Sequence, residues 1–120
     1  MGEYCSVRVW HLKTGASTAE LEALAASGIA EMHRWIPGLQ QLSLVRLAQA
    51  RYLMISVFSS YEAYTFWRQV EEEGPDYWER YASVLMHWEQ LVRLADEFHG
   101  DFIPLQHSPD LEREEPRKSI

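Results

Sequence analysis

The stretch Leu39-Gln-Gln-Leu-Ser-Leu-Val-Arg-Leu-Ala48, followed by Gln49-Ala50 and then Arg51-Tyr-Leu-Met-Ile-Ser-Val-Phe58, decides the fold. Two residues between the runs is hairpin spacing, although Asn-Gly or Asp-Gly is absent. Working outward, Pro37-Gly38 stops whatever precedes the hairpin. Before it, Leu21, Leu24, Ala25, Gly28, Met32 and Trp35 recur at three- and four-residue steps, and Ser17 with Glu20 has capping-box spacing, which predicts a helix from Thr18 to Ile36. Tyr4 to Leu12 alternates around Val7, Val9 and Trp10 and reads as a first strand.

Downstream of the hairpin, Ser59 and Glu62 repeat the capping-box spacing. Ala63, Tyr64, Trp67 and Val70 form the inner stripe of a second helix that Gly74-Pro75 ends. Asp76 then caps a third helix, over Tyr77 to Asp96, with its apolar face on Trp78, Tyr81, Leu85, Trp88, Val92 and Ala95. Phe98 to Leu105 reads as the last strand. The order β, α, β, β, α in two pieces, β predicts an α+β ferredoxin-like sandwich, a four-stranded antiparallel sheet with its helices on one face. The domain spans residues 1–105, and residues 106–120, with Pro109, Pro116 and alternating charge, form a polar C-terminal tail without a core of their own.

A chain of 120 residues with 47% hydrophobic and 24% charged residues has the composition of one globular domain. Its net charge of −7, with 11 scattered Lys and Arg, provides no basic field for nucleic acid or an anionic membrane. The single cysteine, Cys5, rules out an internal disulfide and a multi-cysteine metal site and points to the cytoplasm. Five Trp, six Tyr and four Phe supply enough flat apolar surface for a core and an aromatic-lined cavity.

The helix-free sheet face sets the expected assembly. Taking that face to carry Trp10, its alternating neighbours and Phe102, about 600 Å² of apolar surface per subunit meets water in a monomer. Burying it from two subunits is worth about 30 kcal/mol gross, against an association cost of about 4–15 kcal/mol. The expected partner is therefore a second copy.

Three segments carry a family resemblance: Val7-Arg8-Val9-Trp10-His11, Trp35-Ile36-Pro37-Gly38-Leu39, and Phe58-Ser59-Ser60-Tyr61-Glu62-Ala63-Tyr64-Thr65-Phe66-Trp67. Together with the element order, over about Tyr4 to Leu105, they resemble the antibiotic biosynthesis monooxygenase-like proteins of the dimeric α+β barrel superfamily. The resemblance implies two sheets facing each other across a homodimer and a pocket inside each subunit. In that group some members oxygenate polycyclic aromatics without metal or flavin, others bind and degrade haem, and many have no known activity. Trp67 matches the pocket Trp of the haem-degrading branch, but that branch has Asn where this chain has Arg8.

Oxygenation without a cofactor needs a base, flat walls and a group that steadies an anion. His87, beside Val84 and Leu91 on the helical margin, is the expected base, and Arg8 the expected cation. Trp35, Trp67, Trp78 and Tyr81 are the expected walls, with His33, between Ile29 and Ile36, as a further substrate-binding residue. Each also has an ordinary explanation: Trp67 as core, the histidines as hydrogen-bonded helix residues, Arg8 as an ion-pair partner. No metal is expected, since His99 and Asp101 share a strand face but lack a third ligand. No cofactor is expected either. The readings that stay open are a cofactor-independent monooxygenase for a phenolic or quinone-type aromatic small molecule, a non-catalytic dimer binding a small hydrophobic ligand or a protein, and a haem-binding protein.

Overall fold

The structure, a computed structural model, describes residues 2–105; the expected polar tail, residues 106–120, lies outside them. The hairpin forms as expected from β2 (Leu39–Leu47) and β3 (Arg51–Phe58), and with β1 (Tyr4–Leu12) and β4 (Val92–Asp101) it makes one four-stranded antiparallel sheet in the order β2-β3-β1-β4. Gln49 and Ala50 both take positive φ, 63° and 59°. The turn therefore adopts the left-handed geometry that Asn and Gly usually supply, and two side chains bear the steric cost.

The first helix is not one continuous α-helix. It consists of α1 (Thr18–Leu24), a π turn over Ala25–Ile29, and α2 (Ala30–His33). Ser17 caps it, its Oγ accepting from the Glu20 N–H at 3.1 Å. The wider π turn holds one more residue than an α turn, which rotates everything after it by about 100°. The buried stripe is accordingly Leu21, Ala25, Ile29, Met32, His33 and Ile36, while Trp35, expected on that stripe, is 44% exposed.

Two further helices, α3 (Tyr61–Glu73) and α4 (Pro75–Leu91), complete the layer. Ser60, one residue later than the expected Ser59, caps α3 by accepting from the Ala63 N–H at 3.1 Å. Helix α4 starts on Gly74 and Pro75 with no side-chain cap, so Asp76 does not fill the expected role. It also ends at Leu91 rather than Asp96, and β4 occupies Val92–Asp101 rather than Phe98–Leu105. The cause is a β-bulge: Val9 faces Asp96 and Trp10 faces Leu94, leaving Ala95 unpaired. The extra residue breaks the period-two pattern, and Val92 and Ala95 then mimic a helical step. The free edge of β1 needs partners for its N–H and C=O groups, and that requirement overrides the local pattern.

Ser6, Arg8 and Trp10 on β1 point at the helices, as do Tyr52, Met54, Ser56 and Phe58 on β3. Trp10 is thus not on the helix-free face. Val7 and Val9, with Ile55 and Leu53 opposite them, occupy that face, joined by Val45 and Phe98, which are 39% and 54% exposed.

Gly38 stitches the two halves together. Its φ is +82°, and a Cβ there meets the Ala63 Cβ at 2.6 Å, while its carbonyl accepts from the Ser59 N–H at 2.8 Å. Gly38→Ala is expected to cost at least about 2 kcal/mol, from backbone strain and the clash together, whereas Ala50→Gly should add about 1 kcal/mol by relieving the turn. Urea unfolding of the two variants checks both signs; a neutral Gly38→Ala contradicts this packing.

Candidate functional site

Ser6 and Ser56 are direct cross-strand partners on the helix-facing side of the sheet, and they are 2% and 4% exposed. Two small side chains at adjacent ladder positions leave a gap that the larger residues around them do not fill. The result is a cavity of 60 Å³ between sheet and helices. Arg8, Trp10 and Met54 line it from the strands, His33 from α2, Trp67 and Glu71 from α3, and Tyr77 and Trp88 from α4. It holds a few water molecules or the edge of an aromatic ring. Arg8, Trp10, Glu71, Leu85 and Trp88 also border an open groove of 820 Å³, so the cavity is the inner end of a much larger depression.

His33 is the titratable group best placed for acid–base chemistry in this cavity. It is 6% exposed, and its Nδ1 lies 2.8 Å from the Ile29 carbonyl oxygen. A carbonyl only accepts, so Nδ1 carries the proton and Nε2 keeps its lone pair. Burial pushes the imidazole below its usual value, outweighing the upward pull of the Ile29 hydrogen bond and of Glu71. The ring is neutral near pH 7, with a lone pair on Nε2.

Arg8 is held on all sides. Its Nη1 and Nη2 donate to both oxygens of Glu71 at 2.9 and 2.7 Å, and its Nε donates to Glu97 at 2.9 Å. Burial works against its charge, but the Glu71 and Glu97 carboxylates outweigh that and hold the guanidinium above its already high ordinary value. Arg68 bridges the same two carboxylates at 3.2 and 3.4 Å. The guanidinium lies 4.9 Å from the centre of the Trp67 ring, a cation–π contact. Trp67, 1% exposed, is backed by Phe58 at 5.3 Å and His33 at 6.0 Å between ring centres.

The structure thus gathers Arg8, His33 and Trp67 at one cavity and leaves the other expected residues outside it. His87 is turned to the surface, with Nε2 2.7 Å from Glu20. Trp35 and Tyr81 border a separate surface hollow, and Trp78 stands on the groove rim, 40% exposed. Non-helical backbone at Tyr81, with φ −111° and ψ 18°, breaks the phase of α4, so Tyr77 faces the cavity in place of Trp78. Burial raises the Tyr77 phenol well above its usual range, so it stays protonated. Trp10, Ser6, Ser56 and Tyr77 are cavity residues that the sequence pattern did not single out. Only the shared parity of Trp10 with Arg8 hinted at the first. His99 accepts from or donates to the Tyr4 hydroxyl through Nδ1 at 2.7 Å. Among the described residues no three His, Cys, Asp or Glu side chains converge on a metal-sized site, and no helix is long and apolar enough to cross a membrane.

This arrangement, a split βαβ sandwich, is a fold shared with solved structures that include a cofactor-independent oxygenase and antibiotic biosynthesis monooxygenase candidates. The cofactor-independent oxygenase SnoaB from Streptomyces nogalater superposes with a TM-score of 0.58 at 21% identity over 91% of this chain and 99% of that one. A candidate antibiotic biosynthesis monooxygenase from Caulobacter crescentus CB15 gives 0.60 at 17% identity, over 86% and 92% of the two chains. A nipsnap family protein of unknown function from Agrobacterium tumefaciens gives 0.62 at 21% identity, over 90% and 93%. No family model matches the chain, and no curated protein matches it.

The buried neutral His33 predicts a pH dependence of stability. Its folded-state value lies below the 6.5 of a free imidazole, so between the two values the unfolded chain binds more protons and stability rises with pH. Urea midpoints measured from pH 7.5 down to about 5 should fall for the wild-type chain once the pH drops through about 6.5. In His33→Gln, which cannot take up that proton, the fall should be shallower. Parallel curves for the two proteins contradict a neutral, buried His33.

Proposed function

We propose that this protein is a cofactor-independent monooxygenase for a phenolic or quinone-type aromatic small molecule, working as a homodimer. The observation that carries this reading is His33: a buried, neutral imidazole with Nδ1 tied to the Ile29 carbonyl and Nε2 unclaimed, set beside Trp67 at a cavity. Cofactor-free oxygenation starts when such a base removes an acidic proton from an electron-rich ring. The carbanion then passes an electron to oxygen; after recombination one oxygen atom ends in the product as a carbonyl and the other in water. The 60 Å³ cavity suits the reacting edge and the 820 Å³ groove the rest of the ring system. The shared fold with SnoaB supports the reading.

The homodimer part of this reading is supported by the helix-free face, where Val7, Val9, Val45, Leu53, Ile55 and Phe98 form one apolar surface. Covered by a second copy, these side chains leave water. Ile55→Lys places a charge at its centre, and the prediction is a shift from dimer to monomer in light scattering. A wild-type chain that is already monomeric at micromolar concentration removes the dimer.

Oxygen uptake tests the activity. With anthrone as probe, the methylene group loses its proton, and the expected products are anthraquinone and water. Wild-type protein should accelerate uptake over buffer, and His33→Gln should lower kcat by about 10²–10⁴-fold. Uptake at the buffer rate with the wild-type protein sinks the proposal; equal rates for both proteins remove His33 as the base.

A further inference from the structure

The helix-free face of the sheet is apolar at its centre and basic at one end. His11 on β1 stands directly opposite Arg51 on β3 and Arg93 on β4, so three basic side chains share one rung, with about 4.8 Å from strand to strand. The alternation that turns Trp10 and Tyr52 to the helices turns His11 and Arg51 the other way, onto the face of Val7, Val9, Leu53 and Ile55. Like charges directly opposite one another on a sheet repel. Among the described residues the ion pairs to carboxylates are made by Arg8, Arg34, Arg46, Arg68 and His87, and none by His11, Arg51 or Arg93. Arg51 instead donates through Nε to the Ala48 carbonyl at 3.2 Å.

The groups around His11 leave this excess of positive charge in place. On β2 the rung continues with apolar Leu47, opposite Arg51. Asp96 is the carboxylate that β4 presents on this face. It stands opposite Val9, beyond the unpaired Ala95, and its Oδ1 accepts from the Glu97 N–H at 2.9 Å. Lys13, two residues past His11, donates from Nζ to the Glu89 carbonyl on α4. His11 is therefore flanked by two arginines, against one carboxylate held a rung away.

Imidazole is the side chain that ordinarily gains its charge between pH 5 and 8. On an uncovered face, water and salt screen a third positive charge on this rung. Under a second copy that screening is lost, and the same charge costs far more. We propose that His11, set between Arg51 and Arg93, is a proton switch on assembly: the face accepts a second copy while the imidazole is neutral and releases it once the imidazole is charged. This rests on the homodimer reading of the face. The monomer then binds more protons than the dimer, so association weakens as the pH falls.

Sedimentation velocity of the full chain over a concentration series, at pH 7.5 and at pH 5.5, tests the switch. For the wild-type protein the dimer dissociation constant should rise at least about tenfold between the two. His11→Gln, which keeps a polar side chain and takes up no proton, should hold its affinity over the same range. Arg93→Gln, which removes one flanking charge, should narrow the wild-type change. His33 is present in all three proteins, so its effect on stability is common to them and cancels in the comparison. A wild-type dimer with one dissociation constant at both pH values overturns the inference and leaves the homodimer standing. Equal weakening in wild type and His11→Gln assigns the change to other groups and overturns it as well. A chain that is monomeric at both pH values removes the dimer itself, and the switch with it.

Discussion

A guanidinium under a layer of helices must be neutralised, and the way Arg8 is neutralised fixes the geometry around it. Its Nε reaches Glu97, the residue directly opposite on β4, and its two terminal nitrogens grip Glu71 on α3. Removing one member of such a buried set leaves an uncompensated charge, a loss of about 3–5 kcal/mol. A slip of β1 by one residue would carry Arg8 to the helix-free face and bring Val7 and Val9 under the helices, separating the charge from both carboxylates at once. The ion-pair cluster therefore selects strand register, the position of α3 and the face shown by Trp10 together. Trp67, four residues before Glu71 on the same helix, is placed over the guanidinium by the same constraint.

The cavity arises where regular structure is interrupted. The π turn brings His33 rather than Trp35 under the sheet, the bulge at Ala95 sits beside Trp10, and the break at Tyr81 turns Tyr77 inward. Three separate departures from ideal geometry converge on one small volume above Ser6 and Ser56. Irregularities of this kind cost stability, and they cluster at functional sites because regular packing does not leave a polar cavity open.

Those same departures explain how much the sequence disclosed. Element order, the hairpin, the Pro37-Gly38 stop and the four-stranded sandwich were legible, because they rest on long stretches of ordinary periodicity and on turn residues. Arg8, His33 and Trp67 were legible as candidates. Trp35, Trp78 and His87 were misplaced because a π turn and a helix break shift the helical phase, and neither has a period of its own in the residue pattern. The start of β4 was hidden by a single unpaired residue. Strand parity on β1 was the remaining ambiguity: alternation shows that Arg8 and Trp10 share a face, but only the carboxylates that meet Arg8 decide which face.

The electrostatics of the cavity also bear on how a base works there. Arg8 and Arg68 stand against Glu71 and Glu97, so the surroundings of His33 carry little net charge. Glu71 favours its protonation while burial and Arg8 oppose it. A proton moving from a bound phenol or activated methylene to Nε2 would create an imidazolium beside a substrate anion, and that pair is stabilised mutually in a low-dielectric site. A fixed cation free of carboxylates would hold the substrate anion but also depress the base, and an unpaired carboxylate would do the reverse. The matched cluster avoids both extremes and would permit both halves of such a transfer without trapping either product of it.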